Sequence, residues 1–553
     1  MTVKKLKIHF FVGVLLLGLI HAWLLRNVLD PDGLPNLDMG DGFFQGDRKA
    51  VINGMWSPLY PILLGFVMVL FKPDTYWEST VVHFVNFLIY LLSFFSFTFF
   101  LSQFIKYQKA RNTNVLPEWL WIVFGYVLFL WSSLSLITVS RIMPDMLVSA
   151  LVYLIFGILL KIKQEKSNYS TFILFGLVLG LGYLSKSSMF IFAFIFLIFC
   201  LFEAKDHSRR VKYTFISFVV FCLVSSPYIF LLSKYKGHFT PGESGKVNYL
   251  WEVNRILEMN EIRDCNMTGF SQCDKLVHPL RELLREPRVM EYSTPFNVTY
   301  PPWHDPSYWM EGLVPQLDLY GLIQALKRNG KYYINLFSQM QWILFAYFIL
   351  FFMSSNKSQC LRNIKNEYTL LVPVFVTVLL YSFIHIEPRY VAPFLVVFWL
   401  GLFSAVKLPD TNETIKSAHS LMCILIVLMS FVTLFSSELW DNVCDNSAYL
   451  EWKVSEAIKK EANIKAGDKV AVFPGQGYVY WARYAKARIV AEIRQEDLDD
   501  FWHATSSVQS DIFKKLKDIG VKIVVAFIPP SDTSIPMTSW YKIKDTPYFY
   551  YVL

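Results

Sequence analysis

Residues 39–61 read MGDGFFQGDRKAVINGMWSPLYP, an acidic and aromatic stretch that follows an apolar run at about 8–28 and leads into another at 58–71. The rest of the chain shows the same alternation of long apolar runs and short polar patches. With 54% hydrophobic and only 17% charged residues, this composition excludes an ordinary soluble protein and indicates a multi-spanning membrane protein. The net charge of +8 does not point to nucleic acid, because Lys and Arg lie mostly in the connecting loops.

The basic clusters predict the topology, since Lys and Arg favour the cytoplasmic side of a membrane. The clusters expected inside are MTVKKLK (1–7), KYQKAR (106–111), KIKQEK (161–166), KDHSRRVK (205–212) and NKSQCLRNIK (356–365). The segments expected outside are 29–78, 141–145, 184–188, 233–333 and 385–390. A span needs about 20 apolar residues, so this alternation predicts about eleven transmembrane helices, with the N-terminus in the cytoplasm. It holds only if 58–71 does not cross, which predicts a re-entrant or interfacial helix there.

The tail of the chain changes character and predicts a second domain. Residues 1–437 form the predicted transmembrane domain, and residues 438–553 lie outside the cytoplasm. Short β-branched runs, separated by helix-like segments, favour a small α/β domain with a partly parallel sheet. These runs are GDKVAVFP (467–474), KARIVAEI (486–493) and GVKIVVAFI (520–528). The predicted fold class is therefore an α-helical polytopic membrane protein with a small C-terminal extracytoplasmic α/β domain.

Acidic and basic residues converge on the predicted outer face. They are Asp38, Asp41, Asp47, Arg141, Asp145, Lys186, His385, Glu387 and Arg389. Each one alone reads as a solvated loop end, but ionisable residues next to spans are costly, and the set favours a cavity between helices. Fixed cations and carboxylates in one cavity suit an anionic lipid headgroup together with a hydroxyl that needs activation.

Five phrases in a fixed order carry a family resemblance. They are INGMWSPLYP (52–61), RIMPDML (141–147), LGYLSKS (181–187), TYPPWHDPSYW (299–309) and EPRYVAPF (387–394). With them the chain resembles the GT-C glycosyltransferases, in particular the bacterial branch similar to protein O-mannosyltransferases and aminoarabinose transferase. The resemblance implies a GT-C fold in a bacterial inner membrane. It also implies transfer of a sugar from a polyprenyl-phosphate donor to a lipid, glycan or protein hydroxyl outside the cytoplasm, with inversion if a single displacement operates.

The resemblance also implies roles for individual residues. An aspartate in the first outer loop acts as general base or orients the acceptor, and Asp41 or Asp38 is the match. Asp145 matches a second acidic position. Lys186 and Arg389 match cationic positions that hold the donor phosphate. We add Arg141 as a further candidate cation for the donor phosphate, because it lies on the same predicted outer face.

One spacing departs from the family pattern. In many relatives a helix-length segment separates the catalytic aspartate from the glycine before the N-G-x-W-S-P-L-Y phrase. Here only FFQ separates Asp41-Gly42 from Gly46. The sequence therefore leaves open which first-loop aspartate is catalytic.

Other residues complete the prediction. The candidate substrate-binding residues are Trp56, Tyr60, Trp303, His385, Glu387 and Tyr390. No metal site is predicted, because His304 and Asp305 lack compact ligand spacing, although a divalent ion helping the phosphate stays open. Cys265 and Cys273 could pair if their loop faces an oxidising compartment, and the sequence leaves this disulfide open. The alternatives are a transporter or lipid flippase, and an inactive relative that binds a polyprenyl lipid.

Overall fold

The computed structural model describes residues 2–111, 116–164, 168–204, 209–256, 275–292, 294–354, 356–409, 411–434, 437–475, 479–528 and 539–553. Cys265 and Cys273, and with them the predicted disulfide, lie outside these ranges. The helices of the first half are α1 (Val3–Leu24), α2 (Gly33–Phe44), α3 (Leu59–Phe71), α4 (Glu78–Arg111), α5 (Glu118–Trp131), α6 (Asp145–Gln164), α7 (Tyr169–Ser185), α8 (Met189–Glu203) and α9 (Arg210–Lys236). A π-helical segment, Ser132–Ile137, continues α5.

Shorter and bent helices fill the second half. They are α10 (Ser244–Glu252), α11 (Pro301–His304), α12 (Pro306–Trp309), α13 (Leu319–Gln339), α14 (Gln341–Met353), α15 (Lys357–Asn366), α16 (Tyr368–Ser382), α17 (Pro388–Ala405), α18 (Asn412–Leu434), α19 (Ser437–Val443), α20 (Ser447–Glu461), α21 (Tyr480–Tyr484), α22 (Gln495–His503) and α23 (Ser506–Asp518). The strands are β1 (Arg281–Arg285), β2 (Arg288–Glu291), β3 (Lys469–Phe473), β4 (Arg488–Ile493), β5 (Val521–Phe527), β6 (Tyr541–Lys542) and β7 (Tyr548–Val552).

Within the described residues, seven helices are long and apolar enough to cross a membrane. The number rises to nine if each bent pair is one span: α13 with α14 bends by 70°, and α15 with α16 by 73°. If the shorter apolar helices α7 and α8 also cross, the count reaches the predicted eleven; that number stays a prediction. The 13-residue α3 is about 20 Å long at 1.5 Å per residue, too short for a span. It fits the predicted re-entrant or interfacial helix.

Aromatic side chains form the core of the helical region. α4 packs along α6, and the rings of Phe97, Phe100, Phe129 and Tyr153 are fully buried between α4, α5 and α6. Phe97 and Phe129 stack at 5.2 Å between centroids, and Phe97 meets Tyr153 edge to face at 5.1 Å. Such offset and edge contacts are the arrangements that aromatic rings favour. They fix α6, whose first residue belongs to the site described below.

The C-terminal region contains the predicted strands. GDKVAVFP, KARIVAEI and GVKIVVAFI become β3, β4 and β5, and β3 pairs in parallel with both others. The seven-stranded sheet has the order β1-β2-β4-β3-β5-β7-β6. At one end of the sheet, β1 and β2 come from the predicted outer loop 233–333, and β2 pairs antiparallel with β4. The sheet therefore also includes loop residues, which was not predicted, and the 438–553 domain boundary stays a prediction.

Candidate functional site

A cavity of about 290 Å³ lies where the α7–α8 turn meets residues 55–57, residues 241–248 and the connection from α16 to α17. Much of its wall is apolar. The side chains that supply this apolar surface include Phe190, Ile191, Phe192, Leu380 and Ile384. Lys186 and His385 are the basic residues along the same wall. The cavity thus offers an apolar volume with positive charge at its side.

Lys186 reaches this cavity because α7 ends one residue before it and the chain continues in an extended conformation (φ −155°, ψ 127°). Its Nζ lies 2.6 Å from Oδ1 of Asp145 and 3.5 Å from the centroid of the Tyr390 ring. Asp145 is the first residue of α6 and its side chain is 3% exposed. The pair therefore joins the start of one helix to the end of the next and fixes the Lys186 cation at the wall.

Arg389 supplies a second cation. α17 begins at Pro388, which suits the first helical position because it lacks an N–H, and Arg389 follows at once. Its Nε lies 3.6 Å from Oδ2 of Asp145, and its Nη2 lies 3.0 Å from Oε1 of Glu387. The Nη1 atom is buried and has no hydrogen-bond partner among the described residues, so this guanidinium keeps a free donor. Asp145 therefore lies between two cations, Lys186 and Arg389.

The turn before α2 brings two further carboxylates to this group. Oδ2 of Asp32 lies 3.7 Å from Nη2 of Arg389, and its Oδ1 accepts a 2.9 Å hydrogen bond from the Trp303 indole N–H. Asp30 accepts from the backbone N–H of Asp32 at 3.2 Å and lies 3.7 Å from Nη1 of the half-exposed Arg141. Burial and the charge of Asp32 raise the pKa of Asp30 to about 6, against the opposing effect of the two arginines.

His385 and Glu387 continue the ion pairs away from Arg389. Nδ1 of His385 lies 3.1 Å from Oε1 of Glu252, and its Nε2 lies 3.6 Å from Oε1 of Glu387. Arg328 pairs with the other oxygen of Glu252. Burial opposes the charged imidazole, but the two carboxylates outweigh it and raise the pKa of His385 to about 9. Burial likewise opposes the ionised form of Glu387, but His385 and Arg389 hold its pKa at about 2. Both groups are charged at neutral pH.

Asp38 and Asp41, the predicted bases, lie in a different ion cluster. Arg483 of α21 donates from Nη1 to Asp38 at 2.8 Å, from Nη2 to Asp41 at 2.9 Å and from Nε to Glu78 at 2.6 Å. The backbone N–H and the hydroxyl of Thr299 donate to Asp38 at 2.9 and 3.0 Å. Burial disfavours the charged guanidinium, yet the three carboxylates hold the pKa of Arg483 well above its usual range. The role of Asp38 or Asp41 as base stays a prediction.

The predicted substrate-binding aromatic residues divide into two groups. Trp56 and Tyr390 line the cavity. Trp303 instead contacts the turn before α2, where its indole holds a carboxylate. Tyr60 is 1% exposed, and its hydroxyl donates to Asn86 of α4 at 2.7 Å. Tyr60 therefore fastens α3 to α4.

Asp30 and Asp32 were not predicted from the sequence, although a signal was present. Residues 29–33 read LDPDG, with two acids shortly after the first apolar helix and directly before the 12 residues that form α2. The cavity also brings together two serines that were not among the predicted site residues, since the hydroxyls of Ser187 and Ser244 lie 2.6 Å apart on its wall.

In the described part of the chain, no group of three or more His, Cys, Asp or Glu side chains could hold a metal ion. His304 is 5% exposed, and burial lowers its pKa to about 4 against the charge of Asp305. Its carbonyl accepts a 2.7 Å hydrogen bond from the Asn53 side chain. The TYPPWHDPSYW phrase thus packs against INGMWSPLYP, and His304 serves that contact.

Comparison with known proteins establishes the fold. No protein-family model matches the chain, and no curated protein matches its sequence. In structure the chain is similar to ArnT from Cupriavidus metallidurans bound to undecaprenyl phosphate, with a TM-score of 0.50, 12% identity and coverage of 99% of this chain and 98% of that one. The apo form of that protein has a TM-score of 0.48 and 10% identity, with coverage of 98% of this chain and 97% of that one. The Archaeoglobus fulgidus oligosaccharyltransferase has a TM-score of 0.47 and 10% identity, with coverage of 96% of this chain and 71% of that one.

At such low identity the likeness to ArnT shows the fold alone. It is the GT-C fold that the five sequence phrases implied, and the prediction of fold class is confirmed. The apolar helices likewise confirm the prediction of an integral membrane protein.

Proposed function

We propose that this chain is an integral membrane glycosyltransferase that moves a sugar from a polyprenyl-phosphate-linked donor to a hydroxyl of a lipid, glycan or protein acceptor. One observation carries the proposal: Lys186 and Arg389 share Asp145 beside an apolar cavity. The fold supports it, because the ArnT structure to which the chain is similar binds undecaprenyl phosphate. A cell-envelope role in a bacterial inner membrane follows, with the N-terminus inside and the C-terminal domain outside.

We place the donor headgroup at the cavity wall beside Lys186, which Asp145 links to Arg389. The apolar wall takes the first isoprenoid units, while Lys186 acts as a point charge on the phosphate and Arg389 adds positive charge across Asp145. When the anomeric carbon–oxygen bond breaks, the departing phosphate gains negative charge. Fixed cations then stabilise the transition state more than the ground state. Asp145 forms ion pairs with both cations and partly neutralises their positive charge.

We assign the base to Asp32. Helix α2 separates it from the N-G-x-W-S-P-L-Y phrase, and this is the spacing that the family resemblance implies and that Asp41 lacks. Asp32 also pairs with Arg389, whereas Asp38 and Asp41 are held by Arg483. In the reaction, the acceptor oxygen bonds to the anomeric carbon as its proton passes to a carboxylate oxygen of Asp32, and the configuration inverts.

A transfer assay tests the proposal. Purified protein in liposomes is offered a panel of polyprenyl-phosphate sugars and, separately, nucleotide sugars, with extracted membrane lipids and glycans as acceptors. We expect consumption of one lipid-linked sugar and none of the nucleotide sugars. Movement of a polyprenyl lipid across the bilayer without sugar transfer would favour a flippase, and binding alone would favour an inactive relative. Retention of configuration in the product, measured by NMR, would refute the single displacement.

A further inference from the structure

The C-terminal domain touches the acidic turn before α2 directly. The hydroxyl of Tyr480, in α21, donates to the backbone carbonyl of Asp30 at 2.6 Å. At the start of α20, the Ala448 N–H and the Ser447 hydroxyl both donate to the carbonyl of Asn27 at 3.0 Å. Two points of the turn are thus tied to residues more than 400 positions away in the sequence.

The same domain also holds α2, which follows the turn. Arg483 is one helical turn beyond Tyr480, and its guanidinium binds Asp38 and Asp41 of α2 together with Glu78 at the start of α4. Its side chain is only 5% exposed, so these are enclosed charge-assisted hydrogen bonds, which are stronger than neutral ones. One side chain of α21 therefore fixes α2 against α4.

A second route from the sheet reaches α2 through Thr299. The Ile489 N–H, in β4, donates to the Thr299 carbonyl at 2.9 Å, and Thr299 in turn donates two hydrogen bonds to Asp38. Asp32 thus stands between anchors at positions 30 and 38, and both anchors come from or through the C-terminal sheet. On its other side, its carboxylate meets Trp303 and Arg389.

We propose that α21 is a positioning element of the active site: Tyr480 and Arg483 set the place of the Asp32 carboxylate relative to Arg389. This inference rests on the proposed function. It makes the C-terminal domain part of the catalytic apparatus, in addition to any role in choosing the acceptor. The contacts predict a separable effect, because Tyr480 touches the turn and does not line the donor cavity. A displacement of about 1 Å at a reacting group can cost on the order of 100-fold in rate.

Tyr480→Phe is the primary test, because it removes one hydroxyl and keeps the ring. Tyr484→Phe is the matched control, because this residue lies on the same helix and is likewise buried. For each variant the Kd for undecaprenyl phosphate, the kcat with the lipid-linked donor and the thermal midpoint are measured. We expect Tyr480→Phe to lower kcat roughly tenfold or more, with Kd and midpoint unchanged. An unchanged kcat overturns the inference. So does a fall in kcat that is accompanied by weaker binding of undecaprenyl phosphate and a lower thermal midpoint.

Arg483 gives the second test. Arg483→Gln leaves three carboxylates close together without their cation and is expected to unfold the region, so Arg483→Lys is compared with the quadruple variant Arg483→Gln/Asp38→Asn/Asp41→Asn/Glu78→Gln. We expect Arg483→Lys to retain part of kcat, and the quadruple variant to fold and bind undecaprenyl phosphate but turn over slowly. Wild-type kcat in the quadruple variant would overturn the inference.

Hydrogen exchange separates failure of this inference from failure of the proposed function. Faster amide exchange in residues 27–36 of Tyr480→Phe, but not of Tyr484→Phe, shows that α21 orders the turn whatever the reaction is. If wild-type protein consumes no donor, the proposed function fails while this exchange difference remains. If wild-type protein is active and exchange is unchanged in Tyr480→Phe, the positioning inference alone fails.

Discussion

The ammonium nitrogen of Lys186 lies 2.6 Å from a carboxylate oxygen of Asp145, at the junction where α6 begins and α7 ends. A donor phosphate that binds Lys186 must therefore share it with Asp145. The carboxylate also lies 3.6 Å from Nε of Arg389, so one acid contacts both cations. The energetics of donor binding follow from this arrangement.

We expect Lys186→Met to weaken donor binding. A hydrogen bond to a charged group contributes about 1.5–3 kcal/mol, which corresponds to roughly 10- to 100-fold in Kd. Lys186→Arg should restore part of the affinity, because the charge is kept but the reach differs. Titration of the purified variants with undecaprenyl phosphate measures the effect, and an unchanged Kd in Lys186→Met would remove Lys186 from the phosphate site.

The double variant Lys186→Met/Asp145→Asn controls for the buried acid. Among the described residues, Lys186→Met alone leaves the 3% exposed Asp145 with the longer ion pair to Arg389, which should lower the thermal midpoint. The double variant removes both charges and should recover the midpoint without recovering affinity. Recovery of affinity as well would mean that the single variant failed through instability.

Asp32→Asn is expected to abolish turnover while leaving donor affinity nearly unchanged. General-base catalysis contributes about 100- to 10,000-fold, so kcat should fall by that order. Asp41→Asn and Asp38→Asn are the comparison, because the sequence predicted one of them as base. If either of them loses turnover and Asp32→Asn keeps it, the assignment of the base to Asp32 is wrong.

Much of the fold was predictable because its signals are local. Apolar runs, basic clusters and β-branched runs depend on neighbouring residues, and they predicted the membrane helices, the short α3 and the strands β3, β4 and β5. The grouping of Lys186, Asp145 and Arg389 followed from placing all three at one membrane face, and the structure brings them within ion-pair distance.

The rest depends on contacts between distant segments. Strand β2 joins the sheet by pairing with β4, about 200 residues later in the chain. The β2 sequence, RVME (288–291), contains no signal that predicts this partner. Arg483 lies in the short helix α21, whose sequence carries no motif, so its three carboxylate partners could not be predicted. Asp41 or Asp38 was matched to the base because both lie in the predicted first outer loop, and their ion pairs with Arg483 are seen only in the structure.

The stability given by His385 should depend on pH. Its pKa is raised from 6.5 to about 9 in the folded chain, so its ion pairs contribute fully below pH 6.5 and are lost as the pH rises through 9. Glu387, with its pKa held at about 2, stays ionised across this window. We therefore expect the difference in thermal midpoint between wild type and His385→Asn to shrink as the pH rises from 6.5 to above 9.

Thermal unfolding in detergent at several pH values measures this difference. Because wild type and variant are compared at the same pH, the effects of all titrating groups that they have in common cancel in the midpoint difference. His278→Asn is the matched control, since this histidine pairs with Glu311 and not with Glu252 or Glu387. A midpoint difference for His385→Asn that stays constant between pH 6.5 and 9.5 would contradict the expectation.

Close packing of α2 on α3 is expected to make Gly65 intolerant of a side chain. A Cβ at Gly65 would lie 2.6 Å from the carbonyl oxygen of Gly40, a backbone atom that can move only if α2 moves. Overpacking costs about 1–3 kcal/mol, so Gly65→Ala should lower the thermal midpoint. Because α2 follows Asp32, kcat should fall as well. Gly13→Ala is the control, since a Cβ there meets nothing within 4 Å. Equal thermal midpoints for the two variants would show that α2 and α3 are packed less tightly than the structure indicates.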